Sequence, residues 1–171
     1  LAAELNGESE RPAAIVGPAW VEESVEAAIE AVMHGHDEAR EKMFTGMGAL
    51  TTFEAKIELA CLFGFMTDRI RKDLHTIRRL RNEFAHHIAE QKTQAKLSFS
   101  SESIKHRCLA LNCIAHLNLT DPREAFTRAS ATLNFDFDNI AFMSSKIPDC
   151  GRVFAEGSVN PGARHVAALD A

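Results

Sequence analysis

Apolar residues recur along most of the chain at three- and four-residue steps, and strand-like alternation is nearly absent. Ile15, Val21, Val25, Ala28, Ile29 and Val32 mark a helix over 13–33, which Gly17-Pro18 should kink or open. His34-Gly35-His36 ends it, with Gly35 as a natural C-terminal cap. A short helix is expected over 37–43. Two glycines in the next eight residues, 44–51, make a loop. Thr51 or Thr52 caps a helix over 53–65 with Ile57, Cys61 and Leu62 inward, and Gly64 closes it. Thr67 or Asp68 caps the next helix, 68–88. Residues 89–99 look irregular, with a short extended piece at Lys96-Leu97-Ser98-Phe99. Ser100 or Ser101 caps a helix through 118, with Ile104, Cys108, Leu111 and Ala115 on one stripe. Asp121-Pro122 starts the last long helix, which reaches about 145. Pro148, Gly151, Gly157, Pro161 and Gly162 make the remainder non-helical. The expected fold is all-α, a single-domain helical bundle of five or six helices over 11–147. A flexible segment, 1–10, precedes it and an irregular tail, 148–171, follows.

Composition narrows the function classes. The 171 residues are 46% hydrophobic and 25% charged, within the globular range. No run approaches the ~18 apolar residues that span a bilayer. The net charge of -5 argues against non-specific duplex binding, which needs a basic footprint. The charge is uneven: residues 1–41 hold ten acids and two bases, residues 42–171 fourteen acids and seventeen bases. Solvated helix faces explain that most simply; intramolecular pairing or head-to-tail assembly is the sharper reading. Cys61, Cys108, Cys113 and Cys150 form no C-x-x-C, and no signal-peptide pattern precedes them. A disulfide framework is therefore not expected, and a reducing cytoplasm is. There are eleven Phe and no Tyr.

Residues 68–88 carry the most information. Ile70, Leu74, Ile77, Leu80, Phe84 and Ile88 share one helical face. Asp68, Arg71, His75, Arg79, Asn82 and His86 share the opposite ridge. Arg81 breaks the scheme by lying in or beside the buried stripe. A guanidinium there must find a carboxylate or carbonyls, because an unpaired buried charge costs several kcal/mol. Asp73, Glu58, Glu54 and Glu26 are the candidate partners. Asn82 and His86 lie four apart, within side-chain reach. Arg81 is roughly 140° from His86, so the three converge only if a second helix or a symmetric copy completes the site.

Arg81-Asn82-Glu83-Phe84-Ala85-His86 resembles the R-N-x-x-x-H signature of the HEPN superfamily of helical bundles. The wider context resembles the mannitol operon repressor family. It comprises Ala14 to Gly17 with Trp20-Val21-Glu22, Phe53 to Ile57, Leu59-Ala60, Phe63-Gly64, Arg71 to Leu74, Ile77-Arg78 and Leu97-Ser98-Phe99. The likeness covers about residues 12–120. It implies an all-helical cytoplasmic bacterial regulator of sugar-alcohol use. The HEPN likeness implies an alternative, a metal-independent ribonuclease. There His86 would be general acid or base, Arg81 would stabilise charge on the scissile phosphate, and Asn82 would orient one of them.

The residues supply no helix-turn-helix pair with a basic recognition helix. The most basic run, 69–81, has six bases and one acid and reads best as a solvated face, so direct DNA-binding repression is the weakest alternative. His34 and His36 with Asp37 and Glu38 make a weak metal signal, and His86-His87 point apart. Phe135, Phe137 and Phe142 read as core, with a dimer or partner surface as the sharper alternative. The expectation is thus no metal and no cofactor, a protein partner together with homo-oligomerisation, no membrane, and no direct nucleic-acid binding.

Overall fold

A computed structural model describes residues 10–33, 37–86 and 97–146. The expected cap at His34-Gly35-His36, His87, Ile88 and the tail from 148 lie outside the described residues. Seven helices appear among the described residues, not the five or six expected. In chain order they are α1 (Glu10–Glu30), α2 (Asp37–Phe44), α3 (Phe53–Leu62), α4 (Asp68–His86), α5 (Glu102–Leu109), a 3-10 helix (Asn112–Leu117) and α6 (Pro122–Ser144).

The additional element arises because the expected helix through 118 is two helices. At Leu111 the backbone leaves the helical region (φ -67°, ψ 124°). The cause lies on α4. Asp73 is buried and accepts two hydrogen bonds, from the Asn112 side-chain amide at 2.7 Å and the Cys113 backbone N–H at 2.8 Å. Its carboxylate satisfies a donor that the first turn of a helix leaves orphaned, so a new helix starts there. Ile104, Cys108 and Leu111 stay buried as expected. Ala115 is exposed, and Ile114 takes the inward position instead.

Local signals place the other ends. Thr52 caps α3, its hydroxyl accepting from the Ala55 N–H at 3.2 Å. Asp121 caps α6, accepting from the Glu124 N–H at 2.7 Å, with Pro122 in the first helical position. Such caps contribute about 1 kcal/mol each. Gly64 has φ +77°, and its N–H and that of Phe65 return to the carbonyls of Cys61 and Ala60. That pairing is a Schellman motif, which ends α3 at Leu62 rather than 65. Leu62 is consequently 83% exposed, not inward. Gly17-Pro18 neither opens α1 nor breaks it; both residues are buried inside a helix that starts at Glu10.

α1 is the hub. It packs along α6 and also against α3 and α4, which pack on each other. α5 and the 3-10 helix cover α6, and the 3-10 helix also meets α4. The shared core holds Val21, Val25 and Ile29 of α1, Leu74, Ile77 and Leu80 of α4, and Phe126, Leu133 and Phe137 of α6. Phe99 links α4 to α6, its ring 5.0 Å from Phe84 and 5.3 Å from Phe126, the spacing of favourable aromatic pairs. α2 buries no residue.

Removing the Asp73 carboxylate leaves the Asn112 amide and the Cys113 N–H short of an acceptor. Asp73→Ala is expected to lower stability by about 2–3 kcal/mol. The urea midpoint with its slope checks this; a loss under about 0.5 kcal/mol would show that Asp73 does not anchor the 3-10 helix.

Candidate functional site

α4 carries the three candidate residues on its last two turns. Arg81 is half-buried and faces α1, Asn82 is half-buried, and His86 is exposed at the final position. Arg81 donates to Glu22 Oε2 of α1 at 2.5 Å. Among the described residues no hydrogen bond joins any two of Arg81, Asn82 and His86. Within one chain the motif is therefore a ridge pair, Asn82 and His86, beside an arginine engaged elsewhere.

None of the four expected partners receives Arg81. Asp73 is taken up by the 3-10 helix. Glu58 holds Arg71 and His75 of α4, with the His75 Nε2 contact at 2.8 Å. Glu54 pairs with Arg78 at 3.2 Å. Glu26 takes Lys56 at 2.6 Å. The second oxygen of Glu22 also meets Lys56, at 3.0 Å. Lys56 is 6% exposed on the buried face of α3, among Phe53, Ile57 and Ala60. Burial opposes its charge, yet the hydrogen bonds of Glu26 and Glu22 prevail and hold its pKa above the ordinary lysine value. Two acids and two bases thus form a neutral group at the junction of α1, α3 and α4.

Glu22 and Lys56 were missed as members of this group. A signal existed for Lys56. It stands on the apolar stripe 53, 56, 57, 60, as Arg81 stands beside its own, and both positions demand a carboxylate from another helix.

Four of the six bases in the run 69–81 are paired with acids, while Arg69 is exposed without an ion pair among the described residues. Arg71 pairs with Glu58, Lys72 with Asp68, Arg78 with Glu54 and Arg81 with Glu22. Arg79 gives its Nε to the carbonyl of His75. Arg107 of α5 grips Glu83 of α4 through two contacts of 2.6 Å. The hydrogen bond from Arg107 holds the Glu83 carboxyl below its usual range, and that from Arg71 does the same for Glu58.

Two thiols, Cys108 and Cys113, are held in the protonated form by their placement. Burial pushes Cys108 up to about 12, and burial with the nearby Asp73 charge pushes Cys113 up as well. Protonated thiols neither bind metals nor attack. Among the described residues no three His, Cys, Asp or Glu side chains gather as a metal site. No helix there is long and apolar enough to cross a membrane. Among the described residues, two surface hollows lie away from the motif. One of about 330 Å³ lies between Gly64–Ile70 and Leu133–Ile140, the other, about 340 Å³, between Leu109, Ile114 and Leu119.

No family model, no curated protein and no solved structure matches this chain.

Removing the Glu22 charge strands Arg81 and leaves Lys56 with one acid. Glu22→Ala is expected to cost about 3–5 kcal/mol, the range for an uncompensated buried charge, or somewhat less because Arg81 reaches solvent. A double-mutant cycle of Glu22→Gln with Arg81→Met, read by urea unfolding, should give a coupling above about 1 kcal/mol. Additive effects would separate the pair energetically.

Glu58 and Glu83 bind protons less readily folded than unfolded. They therefore stabilise the fold at neutral pH and cease to do so as pH falls below about 4.3 through their lowered folded values. Both are partly exposed, so each contributes under about 1 kcal/mol. Urea midpoints between pH 7 and 3 should fall less steeply in Glu58→Gln/Glu83→Gln than in wild type; parallel curves would contradict this.

Proposed function

We propose that the chain is a cytoplasmic regulatory module of the mannitol operon repressor kind, acting through contact with other proteins and with itself. The observation that carries this reading is the engagement of Arg81. Its guanidinium lies against Glu22, whose other oxygen holds Lys56, so its charge is balanced before any ligand arrives. A phosphate would compete for Arg81 with a carboxylate fixed at the junction of three helices. His86, the expected acid or base, is exposed and stands apart from that group. Electrostatic catalysis needs donors aimed at one developing charge, and this arrangement aims Arg81 at the protein itself. The pairing of four of the six bases in the run 69–81 supports the same reading against direct DNA binding, since paired cations release few counterions from a duplex. The resemblance over residues 12–120 supplies the regulatory context.

The ribonuclease alternative keeps one supporting feature, the Asn82–His86 ridge that ends at an exposed imidazole. Purified protein incubated with several RNAs in excess EDTA is expected to cleave none of them. In cells carrying a reporter behind a mannitol-operon promoter, expression of the chain is expected to lower reporter output, while the purified protein leaves that promoter DNA unshifted. RNA cleavage lost in a folded His86→Ala variant, or a promoter complex that weakens steeply with salt, overturns the reading.

A further inference from the structure

The three phenylalanines of α6 divide. Phe137 is 1% exposed in the core, whereas Phe135 and Phe142 are 65% and 59% exposed. They are seven residues apart and point away from the core at the helical period. They belong to a longer outward stripe: Glu124, Arg128, Ala131, Phe135, Asp138 and Phe142, followed by Lys146. Its alternating spacings of four and three are those of a helix seam. Every member but Ala131 is exposed, and Ala131 is half-buried.

The charge order along this stripe distinguishes directions. Against a parallel copy, Glu124 meets Glu124, Arg128 meets Arg128, and Asp138 meets Asp138. Against an antiparallel copy, with the two-fold axis at Phe135, the register pairs Glu124 with Lys146 and Arg128 with Phe142. Phe135 then meets itself, and Arg128 comes within a helical turn of Asp138. Opposite charges thus face each other at both ends of the seam, where Glu124 of one copy meets Lys146 of the other, and no like charges are opposed; charge order of this kind is the usual device for choosing orientation in helix pairs. A cation already rests on the exposed ring: the Lys146 ammonium sits 4.8 Å from the Phe142 centroid. In the antiparallel register the Arg128 guanidinium takes up that role from the other copy. Glu124 and Arg128 are only loosely joined within the helix, at 3.8 Å, so both remain available to new partners.

We infer that a second copy of this chain docks on the outer face of α6, antiparallel, with the two-fold axis at Phe135. Only two aromatic side chains per copy enter the seam, an area below that of a permanent dimer, so association is weak and concentration-dependent. The inference specifies the self-contact that the regulatory reading invokes. Its test reads mass and cross-linking rather than repression, so either can fail alone.

Sedimentation equilibrium on the full chain is expected to show a mass rising from 18.8 kDa toward twice that value as concentration increases. Phe135→Glu, at a solvent-exposed position, should keep the helical circular dichroism and weaken the dimer at least tenfold. Register is read by disulfide trapping under mild oxidant, with the parent chain as control for its native cysteines. Phe135→Cys should trap a dimer with itself at least tenfold faster than Phe142→Cys does. A mixture of size-tagged Arg128→Cys and Phe142→Cys should trap the mixed dimer. A wild-type chain monomeric at every concentration overturns the inference. So does a dimer untouched by Phe135→Glu, or equal trapping rates at 135 and 142.

Discussion

The Glu22 carboxylate has two oxygens, and each holds a cation from a different helix: Lys56 of α3 on one, Arg81 of α4 on the other. Glu22 itself belongs to α1. Three helices are therefore fixed in mutual register around a single planar group. Hydrophobic contacts tolerate sliding by a fraction of a turn, because apolar surfaces are non-directional. A carboxylate with two assigned partners does not, since a shift of α3 or α4 lengthens that helix's own contact and a shift of α1 lengthens both. Glu26 completes the charge balance by giving Lys56 a second acid. Dehydrating such a group is costly, and its net contribution to stability is smaller than its geometry suggests. What it supplies is discrimination: other packings of the same apolar stripes would leave Lys56 buried and unpaired.

Asp73 applies the same logic on the other side of α4. It is buried, and it takes its two hydrogen bonds from a segment about forty residues away in sequence. Where α4 faces α1 and α3 it brings a cation to an acid. Toward the 3-10 helix it presents an acid to backbone and amide donors. α4 is thus joined by polar contacts on two sides and by Leu74, Ile77 and Leu80 between them. That arrangement engages four of the six bases in its run 69–81 with acids of the fold itself.

Much of this was legible in the residues. Helix starts at Thr52 and Asp121, the stop at Gly64 and the inward stripe of α4 are encoded within four or five residues, where capping and periodicity operate. The special position of Arg81 was legible for the same reason. Its partner was not: Glu22 lies 59 residues earlier, one helical turn before the candidate Glu26, and spacing within α1 does not say which of the two acids reaches α4. The break at Leu111 was invisible because its cause, Asp73, sits on another helix. Leu62 was misplaced because periodicity says which face is apolar and not whether a neighbour covers the last turn. The three phenylalanines of α6 show the same limit. Their spacing separates Phe137 from Phe135 and Phe142, but only packing decides which side is the core.

The aromatic composition has an optical consequence. The chain holds one tryptophan and no tyrosine. Trp20 lies on α1, half-buried, with its carbonyl accepting from Ser24 and from the Asn134 amide of α6. Emission excited at the red edge, where the eleven phenylalanines do not absorb, therefore arises among these aromatics from a single indole on α1, the helix that packs along α6. Without tyrosine there is no energy-transfer donor to blur it. Its emission reports on the surroundings of α1 at Trp20, so the bundle carries a single-site probe without any label.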